Sequence, residues 1–264
     1  MIRILSLIDS GRLGLGLAAL ALCNLVLFVS AESVFAWRHP ESFAEDWPTV
    51  SRALSDGSLP VFPLLAAAAG LGLFLGGLGV ARMYALRARR AGLPPLVGAT
   101  LVANGLLAAL MGVVHYFHVT VTLAVSDRGH MLLSYTFFFG MTGMILLDFA
   151  MLSAIGERLY GVAAGSQEPL ARTLRLALLL GWCMLLAALA FLVFYLLKDW
   201  EVLAEGTRDV MRRIFVVTEL VWIVLAHAYA LTHMVFQRLH GAQFRHGPGS
   251  PPTALGGAAT GVPT

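Results

Sequence analysis

Three histidines, His115, His118 and His130, stand with Asp127 and Arg128 in the segment VVHYFHVTVTLAVSDRGHMLLSY, between two stretches apolar enough to live in lipid. Imidazoles and carboxylates are the ligands of zinc, and such a site needs three or four of them at about 2.0 to 2.2 Å from the ion. His115 and His118 are three residues apart and share one face of a helix. With His130 they could hold a divalent metal, while an acid, Glu219 or Asp127, handled the proton of a metal-assisted hydrolysis. The same residues could instead line a polar pocket that binds without reacting. In the plainest reading His115 and His118 are amphipathic anchors at a membrane interface, His130 is a polar group at a helix start, and Asp127 with Arg128 is a turn with a local ion pair. Glu219 is harder to set aside, because a carboxyl inside FVVTELVWIVLAHAY needs a partner or a proton.

The elements that must position these groups follow from composition. The 264 residues are 58% hydrophobic and only 12% charged, with a mean hydropathy of +0.80, whereas soluble domains carry about 25% charge. The chain therefore reads as an integral membrane protein of all-α class, a six-transmembrane-helix bundle. Crossing a bilayer core takes roughly 20 apolar residues per helix. Six such runs lie at about 13–36, 61–81, 96–121, 130–155, 176–197 and 214–235, within one domain over 1–238. The runs are continuous rather than alternating, which argues against a β-barrel. Residues 239–264, dense in Gly, Pro, Ala and Thr, read as a disordered cytoplasmic tail.

Arg3, Arg12, Arg82, Arg87, Arg89, Arg90, Arg172 and Arg175 gather before the first run and in alternate connections, which puts both termini in the cytoplasm. The first segment resembles a secretory signal, ending in Val29-Ser30-Ala31, but is expected to remain as a helix. The second run is crowded with glycine, so its helix should approach a neighbour closely and lie inside the bundle. Ser55, Asp56 and Pro60 read as the start of that helix. Cys23 and Cys183 fall within spans and should form no disulfide.

With about 1.5 Å of rise per residue, His115 and Glu219 lie roughly 8 Å, and Glu32 roughly 6 Å, below the outer boundary, with His118, Asp127 and His130 at it. A pocket for lipid or a membrane partner, built from Asp56, His115, His118, His130 and Glu219, is thus expected in the outer half of the bundle. Glu32, Asn104, Asp148 and His227 read as structural polar groups, Asp148 snorkelling or capping near the inner end. The net charge of +3 comes from arginines beside lipid headgroups, which excludes nucleic acid as a partner. Lys198 lies at a helix end, which argues against retinal. No broken helices in paired halves suggest a transporter. No cofactor is expected, with a divalent metal or haem b as open alternatives. A bis-histidine haem between His115 and His227 fails on a depth difference of roughly 12 Å, although His227 could pair across a second chain.

The arrangement resembles the DRAM, Sfk and Frag family of six-span membrane proteins. The resemblance rests on Ser55, Asp56 and Pro60 in LSDGSLPVFPLL, Arg82 and Tyr84 in VARMYAL, and Asn104 in ANGLLAALMGVVHYFH. His130 at the start of the fourth span and Glu219 with Trp222 in the sixth complete it, over about residues 12–238. Members of that family are linked to autophagy, to lipid-dependent organisation of the plasma membrane and to remodelling of GPI-anchor lipids. The resemblance implies a lipid-facing role without fixing a reaction, in a chain whose Arg, Ala, Gly and Leu bias suits a GC-rich bacterium. The expectation is a multi-pass protein of the cell membrane, non-enzymatic, that binds lipid or another membrane protein subunit. The alternatives are a metal-dependent lipid hydrolase using His115, His118 and His130, and a haem-binding or accessory subunit of a redox complex.

Overall fold

A computed structural model describes residues 10–45, 48–56, 59–122, 125–163, 166–198 and 203–245, without the side chains of 10–21, 44, 45, 56 and 240–245. The described residues are helical and contain no strand. The long helices are α1 (Ser10–Arg38), α4 (Phe62–Arg90), α5 (Pro95–Thr120), α6 (Asp127–Tyr160), α7 (Pro169–Leu197) and α8 (Glu205–Arg245). Two short ones, α2 (Pro40–Glu45) and α3 (Val50–Asp56), occupy the first connection. Five helices, α4 to α8, are long and apolar enough among the described residues to cross a membrane.

Short connections place successive long helices side by side, and the pairs α4–α5, α5–α6, α6–α7 and α7–α8 all pack together. α1 closes the bundle against α4 and α8. One end carries the first connection, together with the C-termini of α5 and α7. The arginine-rich connections form the other, basic end.

The closest seam joins α4 to α5, and its glycines explain it. A Cβ added at Gly77 would lie 2.2 Å from Ala109 N, and one at Gly105 would lie 2.5 Å from Ala81 N. Gly70 and Gly112 oppose each other in the same way. Backbone thus meets backbone, as small residues allow within a membrane. The rest of α4 is not enclosed, since Leu64 and Leu71 are exposed on it. Exposed apolar side chains are what a lipid-facing helix surface requires.

Local signals place the helix ends. α4 turns into α5 at Gly92, φ +58°, ahead of Pro94 and Pro95, and Arg158 of α6 donates to the carbonyls of Ala91 and Gly92. Ser126 caps α6 by accepting from Gly129 N at 3.1 Å. α6 ends at Gly161, φ +64°, the left-handed conformation that suits glycine. The start of α4 differs from the expectation: its N-cap is Val61, with no side-chain cap, and Asp56 instead ends the separate helix α3. α8 also runs to Arg245, past the expected boundary at 238, because no proline follows in the chain before Pro248. The rest of the expected tail, 246–264, lies outside the described residues.

Candidate functional site

Two polar assemblies lie inside the bundle, with a cavity between helices α1, α4, α5, α6 and α8. The first assembly is a histidine cluster. His115 and His118, on one face of α5, are 0% and 1% exposed, and His130 in the first turn of α6 is 0% exposed. Their ring centroids are 6.4 Å apart for His115–His118 and 4.9 Å for His118–His130. Phe137, two turns along α6 from His130, packs on both α5 imidazoles, with centroids 4.9 Å from His115 and 5.8 Å from His118.

Hydrogen bonding distinguishes the three. His130 Nδ1 donates to the Val121 carbonyl at 2.7 Å, since that oxygen can only accept. This fixes its tautomer and leaves Nε2 as a lone pair without a partner. His115 and His118 have no partner on either ring nitrogen. Five buried nitrogens are therefore unsatisfied, an unusual concentration when nearly all buried polar groups are bonded. Among the described residues, no group of three or more His, Cys, Asp or Glu side chains is arranged to hold a metal ion.

The other residues of the expected outer layer are placed differently. Glu219, 4% exposed on α8, accepts from Val50 N at 3.2 Å and so ties the first turn of α3 to the bundle. Arg52, in the same short helix, stands over the Phe35 ring at 5.3 Å. Glu32 is half-buried, with Oε1 buried and unpartnered. Asp127 opens α6 and is exposed. The side chain of Asp56 lies outside the described residues. The structure thus gathers His115, His118 and His130, and gives Glu219 a role in holding the first connection.

The second assembly lies towards the basic end. Asp148 does not snorkel: it is 3% exposed and bonded on both oxygens. Tyr84 of α4 donates to Oδ1 at 2.5 Å, and Tyr229 of α8 donates to Oδ2 at 2.6 Å. His233 Nε2 stands 2.9 Å from Oδ2 and 3.1 Å from the Tyr84 hydroxyl, whose proton is already given to Oδ1, while its Nδ1 donates to the Tyr229 carbonyl at 3.2 Å. Facing two acceptors, both ring nitrogens act as donors, so His233 is an imidazolium opposite an aspartate carboxylate. A histidine with both nitrogens committed has no free base nitrogen, and the group cannot activate a nucleophile as a triad histidine does. Instead it is a compensated charge pair joining α4, α6 and α8.

Between the two assemblies is a cavity of about 110 Å³, partly open to the surface. Its part nearer the histidine cluster is apolar, with Phe28, Phe137, Met141 and Trp222, and small residues of the glycine seam form one wall. Phe28 and Phe137 also touch His115, with ring centroids 6.3 and 4.9 Å away. Asn24, Asn104, His227 and Gln237 add polar atoms, and Asp148 with His233 borders it towards the basic end. Asn24 Nδ2 donates to His227 Nε2 at 2.8 Å, because His227 Nδ1 already donates to the Ile223 carbonyl at 2.6 Å. Asn104 Nδ2 donates to the Met144 carbonyl at 3.1 Å and Gln237 Nε2 to the Gly76 carbonyl at 3.3 Å.

Sequence reasoning missed Asn24, Tyr229 and Gln237. Asn24 is a polar residue in an otherwise apolar run, which is a signal by itself within a membrane. Tyr229, His233 and Gln237 follow at steps of four along α8 and share a face. No family model matches the chain, and neither a curated protein nor a solved structure matches it.

Proposed function

We propose that this protein is a six-span membrane protein of the cell membrane, with α1 as its sixth span and both termini cytoplasmic, that holds a lipid in the cavity of its bundle. The role is one of binding and organisation rather than catalysis. The observation that carries the reading is the cavity itself: an apolar space between five helices with a few polar groups on its wall, which is the make-up of a small-molecule site. Of the outer layer of His115, His118, His130 and Glu219, His115 and His118 frame its far end through Phe28 and Phe137. A place in the DRAM, Sfk and Frag family belongs to the same proposal, and the motif residues Tyr84, Asn104, His130, Glu219 and Trp222 are all buried.

The test is retention of lipid through gentle detergent purification, read by native mass spectrometry. Wild-type protein is expected to carry one lipid on each chain. Ala226→Phe and Ala108→Phe, which place a ring into the cavity wall, should release it while leaving the protein folded. A wild-type protein without bound lipid, or one whose lipid is indifferent to both substitutions, would overturn the proposal.

A further inference from the structure

The polar atoms on the cavity wall restrict what the head of the ligand can be, and this inference rests on the lipid-binding reading above. Every side-chain nitrogen and hydroxyl on that wall has a partner, each amide keeping its second N–H in reserve. Trp222 Nε1 donates to Thr142 Oγ1 at 2.9 Å, Tyr229 donates to Asp148, and His227 and His233 are committed as described. The amide groups of Asn24, Asn104 and Gln237 all donate to atoms that can only accept, which settles which end of each amide is the oxygen. Three acceptors are left over: Asn24 Oδ1, Asn104 Oδ1 and Gln237 Oε1 are buried and unpartnered. Their residues are 4%, 5% and 2% exposed. Gln237 Oε1 is turned towards Gly79, whose missing Cβ would stand 2.8 Å from it, so the two asparagines are the free acceptors.

Among the described residues, no arginine or lysine lines the cavity, and the one carboxylate there is matched by His233. A phosphate or carboxylate head would meet unpaired amide oxygens and no unpaired cation to balance its charge, with a large desolvation cost. A hydroxyl head supplies a donor for the unpartnered asparagine oxygens and carries no charge. We infer that the cavity selects an uncharged lipid whose head is a hydroxyl group, bound by donation to Asn104 Oδ1 or Asn24 Oδ1. Because the cavity is partly open to the surface, the head and the first part of one chain can lie inside it with the remainder outside.

The test compares four probes on the delipidated wild-type protein: oleyl alcohol, oleic acid, oleyl phosphate and 1-octadecene, each read as a ligand-induced rise in Tm across a concentration series. Oleyl alcohol is expected to bind about tenfold more tightly than 1-octadecene, the order of one net hydrogen bond. Oleic acid and oleyl phosphate should bind more weakly than the alcohol. Asn104→Ala and Asn24→Ala, separately, should reduce the preference for alcohol over octadecene without abolishing octadecene binding. If either variant fails to fold, the wild-type ranking of the four probes still decides. Equal binding of alcohol and octadecene overturns the inference but leaves the cavity reading standing, as does tighter binding of the acid or the phosphate. If none of the four binds, the cavity reading fails and the inference with it.

Discussion

Replacing Asp148 by alanine takes the acceptor from three buried donors at once. The Tyr84 hydroxyl, the Tyr229 hydroxyl and the His233 Nε2 proton, whose heavy atoms now stand 2.5 to 2.9 Å from a carboxylate oxygen, would lose it, and only Tyr84 and His233, 3.1 Å apart, could still bond each other. Each stranded donor costs about 1–3 kcal/mol, and breaking a buried ion pair from one side costs about 3–5 kcal/mol in all. The second figure is the better guide, because His233 can shed its proton and recover part of the loss. Against a typical total of about 5–15 kcal/mol, such a change removes a large share of the stability. Asp148→Asn has the same shape and separates charge from packing. Its amide oxygen still accepts from one tyrosine and its NH2 can donate to a neutral His233, so one hydroxyl is left unmatched, at about 1–3 kcal/mol. The expected order of thermal stability in detergent micelles is wild type, then Asn, then Ala, with Ala lowest by a margin of about 2 kcal/mol. An alanine variant melting with the wild type would refute the charge-pair reading. An asparagine variant as unstable as alanine would refute the donor and acceptor assignment.

Two further contrasts test the packing around the candidate site. His118 has no bonded nitrogen and sits among aromatic rings, so His118→Phe should be neutral or stabilising by thermal melting, whereas His130→Phe strands the Val121 carbonyl and should cost about 1–3 kcal/mol. A strongly destabilised His118→Phe would mean that its nitrogens hold a partner, and elemental analysis of the purified wild type would show whether that partner is a metal. Gly77→Ala should disrupt the α4–α5 seam, where its Cβ would meet Ala109 N at 2.2 Å, while Gly143→Ala, with nothing within 4 Å, should leave Tm unchanged or raised. Equal effects at the two positions would contradict the backbone contact.

What is legible in the sequence, and what is not, divides along the range of the interactions. Helical class and apolar runs are local properties, and α4 to α8 each carry one of the runs that hydropathy and length mark out, reaching beyond it at one end or both. The meeting of His115, His118 and His130 is also legible, because an i, i+3 pair and a short connection to the next helix leave little freedom. The partner of Asp148 is not. It depends on how α6 and α8 are rotated about their own axes, with His233 lying 85 positions after Asp148 (233 less 148), and depth arithmetic alone cannot fix a rotation. The same limit hides the tie between Glu219 and Val50, since no periodicity foretells where the short helix α3 docks. The cavity is invisible for a different reason: it arises where small side chains on one helix face large ones imperfectly, and one sequence records sizes but not which residues oppose one another.

The glycine seam also bears on mechanics. Two helices locked backbone to backbone at Gly70, Gly77, Gly105 and Gly112 form a stiff plank, since any sliding between them must first lift a main chain out of its groove. That plank is one wall of the cavity. Any breathing that admits a guest is therefore assigned to α1, α6 and α8 on the opposite side, where side chains can change rotamer without a backbone having to move first. The pair α4–α5 would serve as the fixed jaw of a vice, and the other three helices as the moving one.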